Sequence, residues 1–392
     1  MARLDPGPGD RVYDWAEWIG DQTEKSGTVR NGTVPRIPVN ELRETGVTIF
    51  TSLGAPSEYA ELVVDMLIEA NLVGHDSHGI RYVTRYAERI KNGIIDPTAR
   101  PEVTNDTPST AIIDGHWTFG QVTATKAMRL AIEKAKKTSI SAVGAIHCNH
   151  IGRLGAYTML AAESDMIGFL MVNVVHPVVQ PFGGASRVFG TNPISVAAPA
   201  GEQKPFLLDF ATSSVAEGKV GVAAINKEKI PPGWIVDNDG HDTDDPLDFS
   251  LQDGSVGESG RLLSFGARDG HKGYCLSILM EILGGILPGG GSIDDEDAHL
   301  YENGLLAIAL DIKKFTPLQR FKNRMDSLFK KVHSAPVNPE FQYSEVQVPG
   351  DYEWRDREKR LTEGIDVPEP AWDEIQHLAA ELNKPSRARN EK

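Results

Sequence analysis

The sequence has few cysteines: Cys148 and Cys275 are the two in 392 residues. Two thiols so far apart make neither a disulfide framework nor a CxxC metal knuckle, so we expect a reducing, cytoplasmic location. Long apolar runs are missing as well. No stretch approaches the roughly 18 residues of a membrane-spanning helix, and the N-terminus has no signal-type segment. The sequence therefore predicts a protein without a membrane partner.

Positive charge is also scarce. The chain has 40 Lys and Arg against 55 Asp and Glu, which gives a formal net charge of −15. Such a surface repels phosphate backbones, so no nucleic acid is expected as a partner. Any anionic ligand must then meet a local cluster of cations. The length allows about two or three packed units.

Several catalytic motifs are missing. The sequence contains no GxGxxG, GxxxxGK[ST], HExxH or GxSxG, which disfavours the usual dinucleotide loop, P-loop, zincin and α/β-hydrolase chemistry. The acidic stretch 237–248 resembles a calcium loop superficially, but its glycine is at the fourth position, which favours an ordinary turn. His147 and His150 could bind zinc, yet no third ligand is evident. We therefore expect no metal.

Apolar segments alternate with helical patterns through the middle of the chain. Strands are predicted at 111–114, 141–146, 166–175, 194–199, 206–210 and 304–312, and helices at 57–73, 121–137, 154–163, 274–287 and from 371 onward. This alternation predicts an α/β fold whose sheet is built from short buried strands.

Two glycine-bearing clusters place polar residues next to predicted strands and helices, where open α/β sheets often bind ligands. In the first, Ser77 and His78 are adjacent, and a histidine beside a hydroxyl suits proton transfer near neutral pH. A structural histidine is the alternative. In the second, Gly152 and Arg153 lie between a strand and a helix and could bind a phosphate or carboxylate.

Two further clusters follow. One ends a strand at Asp209 and continues with Thr212 and Ser213, which could contact a ribose or a carboxamide, or could cap a helix. The other begins a helix with His271 and Lys272 and is another candidate anion site. Together the four clusters favour a nucleotide cofactor bound without a Rossmann loop.

The motifs are recognisable in their order: GHDSHG (74–79), NHIGRLG (149–155), QPFGG (180–184), FGTNP (189–193), LLDFATS (207–213), HKGY (271–274) and PGDYE (349–353). In this order they closely resemble the malate/L-lactate dehydrogenase family over about residues 40 to 385. The segment PPGWIVDNDG looks most like the hydroxycarboxylate dehydrogenase B branch. The resemblance implies an NAD- or NADP-dependent homodimer that acts on small 2-hydroxy or 2-oxo acids, such as malate, lactate or aryl-lactates.

The resemblance also implies a non-Rossmann, sulfolactate-dehydrogenase-like α/β (α+β) fold. A central mixed sheet would bind the cofactor and a second domain would be largely helical. We expect an extension at 1–35, the first part of the helical domain at 36–108, the cofactor domain at 109–315 and the rest of the helical domain at 316–392. The helix at 270–288 is a candidate to pack with the helical domain.

Roles for individual residues follow from the same resemblance. His78 matches the proton donor of some members, with Ser77 beside it, whereas His150 matches the proton acceptor of others, so two candidates remain. Asp209 cannot decide between NAD and NADP, because relatives of both preferences look alike there. Cofactor contacts are implied for His78, Gly152, Arg153, Leu154, Leu207, Leu208, Asp209, Phe210, Ala211, His271, Lys272, Asn303, Gly350, Asp351, Tyr352 and Glu353.

One position departs from the family pattern. Many members read SHGxxR, with an arginine that faces the substrate carboxylate, whereas Tyr82 occupies that position here. Arg81, Arg153 and Arg187 are therefore the candidates to bind the carboxylate, and Tyr82 could line a pocket for a larger or aromatic side chain. A histidine near its reference pKa of about 6.5 would favour oxidation as pH rises. The alternatives are a reductase of cyclic imino acids and a catalytically silent nucleotide-binding homologue.

Overall fold

The computed structural model describes residues 35–295, 299–300, 302–340 and 344–383. Its strands are β1 (Arg36–Ile37), β2 (Glu102–Asp106), β3 (Thr110–Asp114), β4 (Ile140–Ile146), β5 (Met166–Val172), β6 (Ile194–Ala198), β7 (Phe206–Phe210), β8 (Ile235–Val236), β9 (Asp242–Thr243), β10 (Arg261–Leu262), β11 (Leu305–Asp311) and β12 (Ile365–Asp366). Its helices are α1 (Val39–Ser52), α2 (Ser57–Leu72), α3 (Tyr82–Lys91), α4 (Gly120–Thr138), α5 (Gly155–Glu163), α6 (Glu217–Asn226), α7 (His271–Met280), α8 (Leu318–His333), α9 (Asp351–Glu363) and α10 (Glu369–Leu382). The predicted extension at 1–35 lies outside the described residues, apart from Pro35.

The central sheet is mixed and has the strand order β2-β3-β4-β11-β5-β6-β7. Within it β3 and β4 run parallel, and the other neighbouring strands run antiparallel. The late strand β11 lies between β4 and β5, so that Leu305 pairs with Ala145 on one side and Val172 on the other. This arrangement confirms the predicted mixed α/β architecture.

Helices cover both faces of the sheet. Side chains of a strand alternate between faces, and in β11 Leu305 packs in the cluster beneath α4 and α5, whereas Leu306 packs in the opposite one. A π-helical segment, Glu281–Ile286, continues α7. Met280 of α7 packs with Met171 and Leu306. The helix predicted at 270–288 therefore packs against the sheet, because its buried apolar side chains face the strands.

The helical domain joins two distant parts of the chain. α2 contacts α1 and α9, and α10 contacts α1 and α3. Pairing of β1 with β12 connects the first part to the last. Two expected boundaries differ, because β2 pairs with β3 and so belongs to the sheet, and because Phe329 of α8 packs with Ala200 at the end of β6.

A small sheet of order β10-β8-β9 lies outside the central one. Its strands are two residues long, too short to give a periodic signal, and the sequence did not predict them or α1, α3, α6, α8 and α9. Between β8 and β9, the Asp237 carboxylate accepts hydrogen bonds from the backbone N–H groups of Asp239 and His241. The acidic stretch at this position thus forms an ordinary turn.

No helix in the described part of the chain has the length and apolarity needed to cross a membrane.

Candidate active site

The segment that carries Ser77 and His78 is fixed by the carboxylate of Asp76. It forms a single 3₁₀ turn, Asp76–His78, after the end of α2. Two Asp76 oxygens accept hydrogen bonds from the guanidinium of Arg360 at 2.6 and 3.0 Å, and Asn71 donates a third at 2.6 Å. Paired charge-assisted bonds of this kind hold geometry well. His78, two residues after Asp76, is therefore held on a rigid turn that is hydrogen-bonded to α2 and α9.

Three aromatic rings lie close together above this turn. The ring centroids of His78 and His150 are 5.7 Å apart, and those of Tyr82 and His150 are 4.7 Å apart, with the planes within 17° of parallel. Ser77 Oγ lies 3.0 Å from Nδ1 of His78. The structure therefore brings together the two histidines that the sequence could not choose between.

A second pair of side chains holds His150 from behind. The hydroxyl of Tyr86 lies 2.7 Å from Nδ1 of His150, and the amide of Gln121 donates to the same hydroxyl at 2.8 Å. Both Tyr86 and Gln121 are buried. Sequence reasoning missed this pair, because each residue sits on an apolar-periodic helix and belongs to no motif.

Burial keeps both histidines neutral. Loss of hydration lowers the pKa of His78 to about 4, the positive potential of His75 adds to that effect, and Glu217 opposes it. The pKa of His150 is also well below its ordinary value, first because of burial and then because of His78. Both residues nevertheless remain partly exposed to solvent. In the free protein at neutral pH both rings are available as uncharged donors and acceptors.

A buried arginine lies at the start of α5. Gly152 adopts a φ of +74°, which lets the chain turn sharply before the helix. Arg153 is 7% exposed, and its Nη1 lies 4.0 Å from the carboxylate of Asp209 at the end of β7. Nε and Nη1 of Arg153 have no hydrogen-bond partner within the described residues. Buried donors of this kind are costly unless a ligand satisfies them.

The carboxylate of Asp209 has its own fixed position. It accepts a hydrogen bond from the backbone N–H of Gly155 at 2.6 Å. Burial raises its pKa, while Arg153 counteracts that effect. A carboxylate at a strand end beside a helix N-terminus is suited to accept hydrogen bonds from ribose hydroxyls.

The segment 349–353 docks beside this site. Leu207 at the start of β7 donates its N–H to Pro349 O at 3.1 Å, and Gly350 has a φ of +109° that allows the close approach. Glu353 then lies 3.4 Å from Nε2 of His75. Burial works to raise the pKa of Glu353, but the hydrogen bond from His75 and other polar contacts leave it lowered. Thus 74–79, 152–155, 207–211 and 350–353 lie close together in the structure.

Arg187 occupies a different environment from the one predicted. Its three nitrogens donate to the backbone carbonyls of Gly260, Gly257 and Ser259, and its guanidinium lies 5.0 Å from the ring centroid of Phe249. The side chain thus holds the loop before β10. These contacts speak against the predicted role in binding the substrate carboxylate.

Two implied cofactor residues make internal contacts. The Asn303 side chain accepts from Ile151 N at 3.2 Å and so supports the loop that carries Gly152. Asp351 pairs with His333 at 2.7 Å and accepts the N–H of Val348. Both position the segments that bear the site, and no direct ligand contact follows from their geometry.

The remaining implied residues fall into three groups. Leu154 and Leu207 are core residues, and Leu208 and Ala211 are partly buried. Phe210 packs on Phe265 with ring centroids 5.8 Å apart, and the exposed His271 and Lys272 begin α7, where Phe182 contacts His271. Burial and Asp356 raise the pKa of Tyr352 to about 12.

The two histidines once considered as zinc ligands have separate partners. Nδ1 of His147 lies 3.0 Å from both carboxylate oxygens of Asp114, whereas His150 contacts Tyr86. Among the residues that the structure describes, no group of three His, Cys, Asp or Glu side chains is arranged to hold a metal ion.

Comparisons with known proteins agree on one family. The family model described as malate/L-lactate dehydrogenase matches residues 37–376. A malate dehydrogenase of Pyrococcus abyssi is 39% identical over 353 residues, covering 88% of this chain and 94% of that protein. Hydroxycarboxylate dehydrogenase B of Escherichia coli is 33% identical over 341 residues, covering 86% and 91%. The crystal structure of malate dehydrogenase from Entamoeba histolytica matches with a TM-score of 0.84 at 29% identity, covering 90% and 99%.

Proposed function

Because the chain belongs to the malate/L-lactate dehydrogenase family, we propose that it transfers a hydride between NAD(P) and C2 of a small 2-hydroxy or 2-oxo acid. Its relatives are malate, lactate and sulfolactate dehydrogenases, so the chain is an oxidoreductase of 2-hydroxy acids. The observation that carries the proposed chemistry is the pair of neutral, stacked histidines, His78 and His150, next to the buried Arg153.

The residues around Arg153 fit a dinucleotide. The two unpartnered nitrogens of Arg153 suit an anionic phosphate, and the Asp209 carboxylate suits a ribose hydroxyl. Glu353 and His75 line the same region. When bound, NAD(P) would supply the hydride acceptor for oxidation or the donor for reduction. The choice between NAD and NADP is part of the experiment below.

We assign different tasks to the two histidines. Gln121 donates to the Tyr86 oxygen, so the Tyr86 hydroxyl proton is free to point at His150 Nδ1, 2.7 Å away. A neutral His150 then carries its proton on Nε2 and can donate a hydrogen bond to the substrate oxygen. Nδ1 of His78 faces the rotatable hydroxyl of Ser77, which can accept or donate. His78 can therefore exchange the hydroxyl proton of the substrate in both directions.

A substrate screen with both cofactors tests the proposed reaction. We expect oxidation of NADH or NADPH with pyruvate, oxaloacetate, 2-oxoglutarate or phenylpyruvate, followed by absorbance, and turnover at least tenfold faster than with a cyclic imino acid. The imino acid alternative is weaker, because the named relatives act on hydroxy acids. Tight binding of NADH or NADPH without turnover of any of these compounds would instead identify a catalytically silent homologue.

We also propose that the protein is a homodimer, and an exposed apolar stripe supports this. Leu279, Ile282, Ile286 and Leu287 are between 42% and 60% exposed along α7 and its π-helical extension. An apolar stripe on an ordered helix commonly marks an interface.

Two charges on this stripe are expected to separate the subunits. Light scattering should give twice the 42.7 kDa chain mass for the wild type and the single-chain mass for Ile282→Glu/Ile286→Glu, because buried carboxylates are costly. Leu361→Glu, at an exposed apolar position on α9, is the matched control and should stay dimeric. A wild type of single-chain mass, or a dimeric double variant, would contradict the proposal.

A further inference from the structure

The predicted carboxylate-binding position has no cation in this chain. Tyr82 lies against His150, and burial is the main cause that raises the pKa of its hydroxyl, so the side chain stays neutral. A neutral phenol can donate one hydrogen bond but cannot balance the charge of a carboxylate. If the protein acts on 2-oxo acids, the balancing cation must come from another residue near the two histidines.

The three arginines that the sequence favoured for binding the carboxylate have other neighbours. Arg187 holds the loop before β10, and Arg153 faces Asp209. Arg81 immediately precedes α3 and is partly buried, and Arg85 is the charged group that affects its pKa most. Arg187 and Arg153 therefore contact groups other than the histidine pair.

Arg85 lies beside the aromatic ring that stacks on His150. It lies three residues after Tyr82, one turn farther along α3 and on the same side of the helix. Its guanidinium carbon is 5.3 Å from the centroid of the Tyr82 ring, and the residue is exposed. Tyr82 in turn stacks on His150 with ring centroids 4.7 Å apart, so Arg85 lies beside the histidine pair. The positive charge of Arg85 acts in the same direction as burial and lowers the pKa of both histidines.

The guanidinium of Arg85 is not neutralised by an ion pair. No carboxylate among the described residues lies within 4 Å of it, in contrast to Arg43, Arg357 and Arg360, which pair with acids in the same helical domain. In this space the charge of Arg85 contributes to lowering the pKa of Glu217, whose carboxylate lies 3.4 Å from Nδ1 of His176. Apart from a hydrogen bond to the Tyr82 hydroxyl, the donors of Arg85 are thus available for an anion.

We propose that Arg85 binds the carboxylate of the substrate and that Tyr82 positions its guanidinium by stacking. A planar guanidinium can bind both carboxylate oxygens at once and can stack on an aromatic face at the same time. Arg85 lies one turn farther along α3 than Tyr82. A carboxylate bound to it would leave the substrate carbonyl beside His78 and His150. The inference rests on the proposed 2-oxo acid chemistry and adds the residue that recognises the acid group.

Direct binding of oxamate tests Arg85 without requiring turnover. Oxamate is an unreactive analogue of a 2-oxo acid, and its Kd is measured by calorimetry on the full chain in the presence of NADH or NADPH. Arg85→Gln should weaken oxamate binding about 10- to 100-fold, the range for loss of a charge-assisted pair. With a reacting 2-oxo acid, KM should rise by a similar factor while kcat changes less.

Three variants make the result specific. Lys91→Gln removes a positive charge from the exposed end of the same helix and should leave Kd within twofold of the wild type. Arg85→Lys should bind with intermediate affinity, because an ammonium cannot form the planar pair. The exchange Tyr82→Arg/Arg85→Tyr should regain at least tenfold over Arg85→Gln.

The outcomes separate this inference from the proposed function. If Arg85→Gln binds oxamate within twofold of the wild type, or if the wild type does not bind oxamate, Arg85 is not the carboxylate ligand. If oxamate binding depends on Arg85 but no 2-oxo acid is turned over, the binding role stands and the proposed reaction fails.

Discussion

His78→Asn is expected to lower turnover of the 2-hydroxy acid about 10²- to 10⁴-fold, the usual contribution of a positioned general acid–base group. The asparagine amide keeps polarity and part of the volume of the ring but cannot take up the hydroxyl proton. Asp76 and its contacts to Arg360 and Asn71 hold the turn independently of the imidazole. The loss should therefore appear mainly in kcat.

Two further variants test whether this loss of turnover comes from the imidazole of His78. Ser77→Ala removes the hydroxyl 3.0 Å from His78 Nδ1 and should reduce kcat far less than His78→Asn, because the imidazole remains. His150→Gln keeps a hydrogen-bond donor near the substrate oxygen and should retain more activity than His78→Asn. If His78→Asn turned over at nearly the native rate while His150→Gln did not, the two assigned roles would have to be exchanged.

The pH profile of the wild type gives an independent measurement of the same residue. Burial lowers the pKa of His78 to about 4, His75, Arg153 and Arg85 act in the same direction, and Glu217 acts against them. Oxidation needs the neutral imidazole, so kcat/KM for oxidation should fall only as pH drops toward that value. Reduction needs the protonated form and should rise over the same interval. An inflection that stays at the reference pKa of about 6.5 would contradict this.

This pH expectation differs from the one based on sequence, and the difference has a physical cause. The motif GHDSHG identifies a histidine, but its pKa depends on burial against the His150 ring and on Glu217 of α6, which reach it only through tertiary packing. Sequence alone therefore supplied the reference value. His150 and Glu217 both lie more than 70 positions away along the chain, whereas His75, which also lowers the pKa, is local.

The strands of the central sheet were predictable because each is a short apolar run between turn signals. Their order was not, since β11 enters between β4 and β5 from a position more than 130 residues later. The small sheet around β8 was missed, because two-residue strands leave no periodic pattern. Motifs likewise located His78, His150 and Arg153, whereas Tyr86, Gln121 and Arg85 lie in helical patterns that look like ordinary amphipathic faces.

Arg187 illustrates the opposite error. A cation within a glycine-rich stretch was expected to bind a carboxylate, but glycine-rich loops also expose backbone carbonyls, and these accept the Arg187 donors. Composition cannot distinguish an arginine that binds a ligand from one that holds a loop. The distinction depends on which guanidinium nitrogens already have hydrogen-bond partners. All three nitrogens of Arg187 have them, whereas Nε and Nη1 of Arg153 have none within the described residues.

Arg153→Met is expected to weaken binding of NADH or NADPH about 10- to 100-fold, because charge-assisted hydrogen bonds to a buried anion contribute about 1.5–3 kcal/mol. Methionine fills much of the buried volume without a charge. Fluorescence titration of the reduced cofactor measures the effect. Arg187→Met, which removes a guanidinium whose nitrogens bind backbone carbonyls, is the control and should lower thermal stability while leaving cofactor affinity unchanged.

The neighbouring Asp209 requires one more variant. Without Arg153 its buried carboxylate would lack the nearby cation, which by itself destabilises the site. In Arg153→Met/Asp209→Asn that unpaired charge is removed, so folding should recover toward the wild type while cofactor affinity stays low. Wild-type affinity in a folded Arg153→Met protein would show that the unpartnered nitrogens do not bind the cofactor phosphate. Recovery of affinity in the double variant would show that the single variant acted through Asp209.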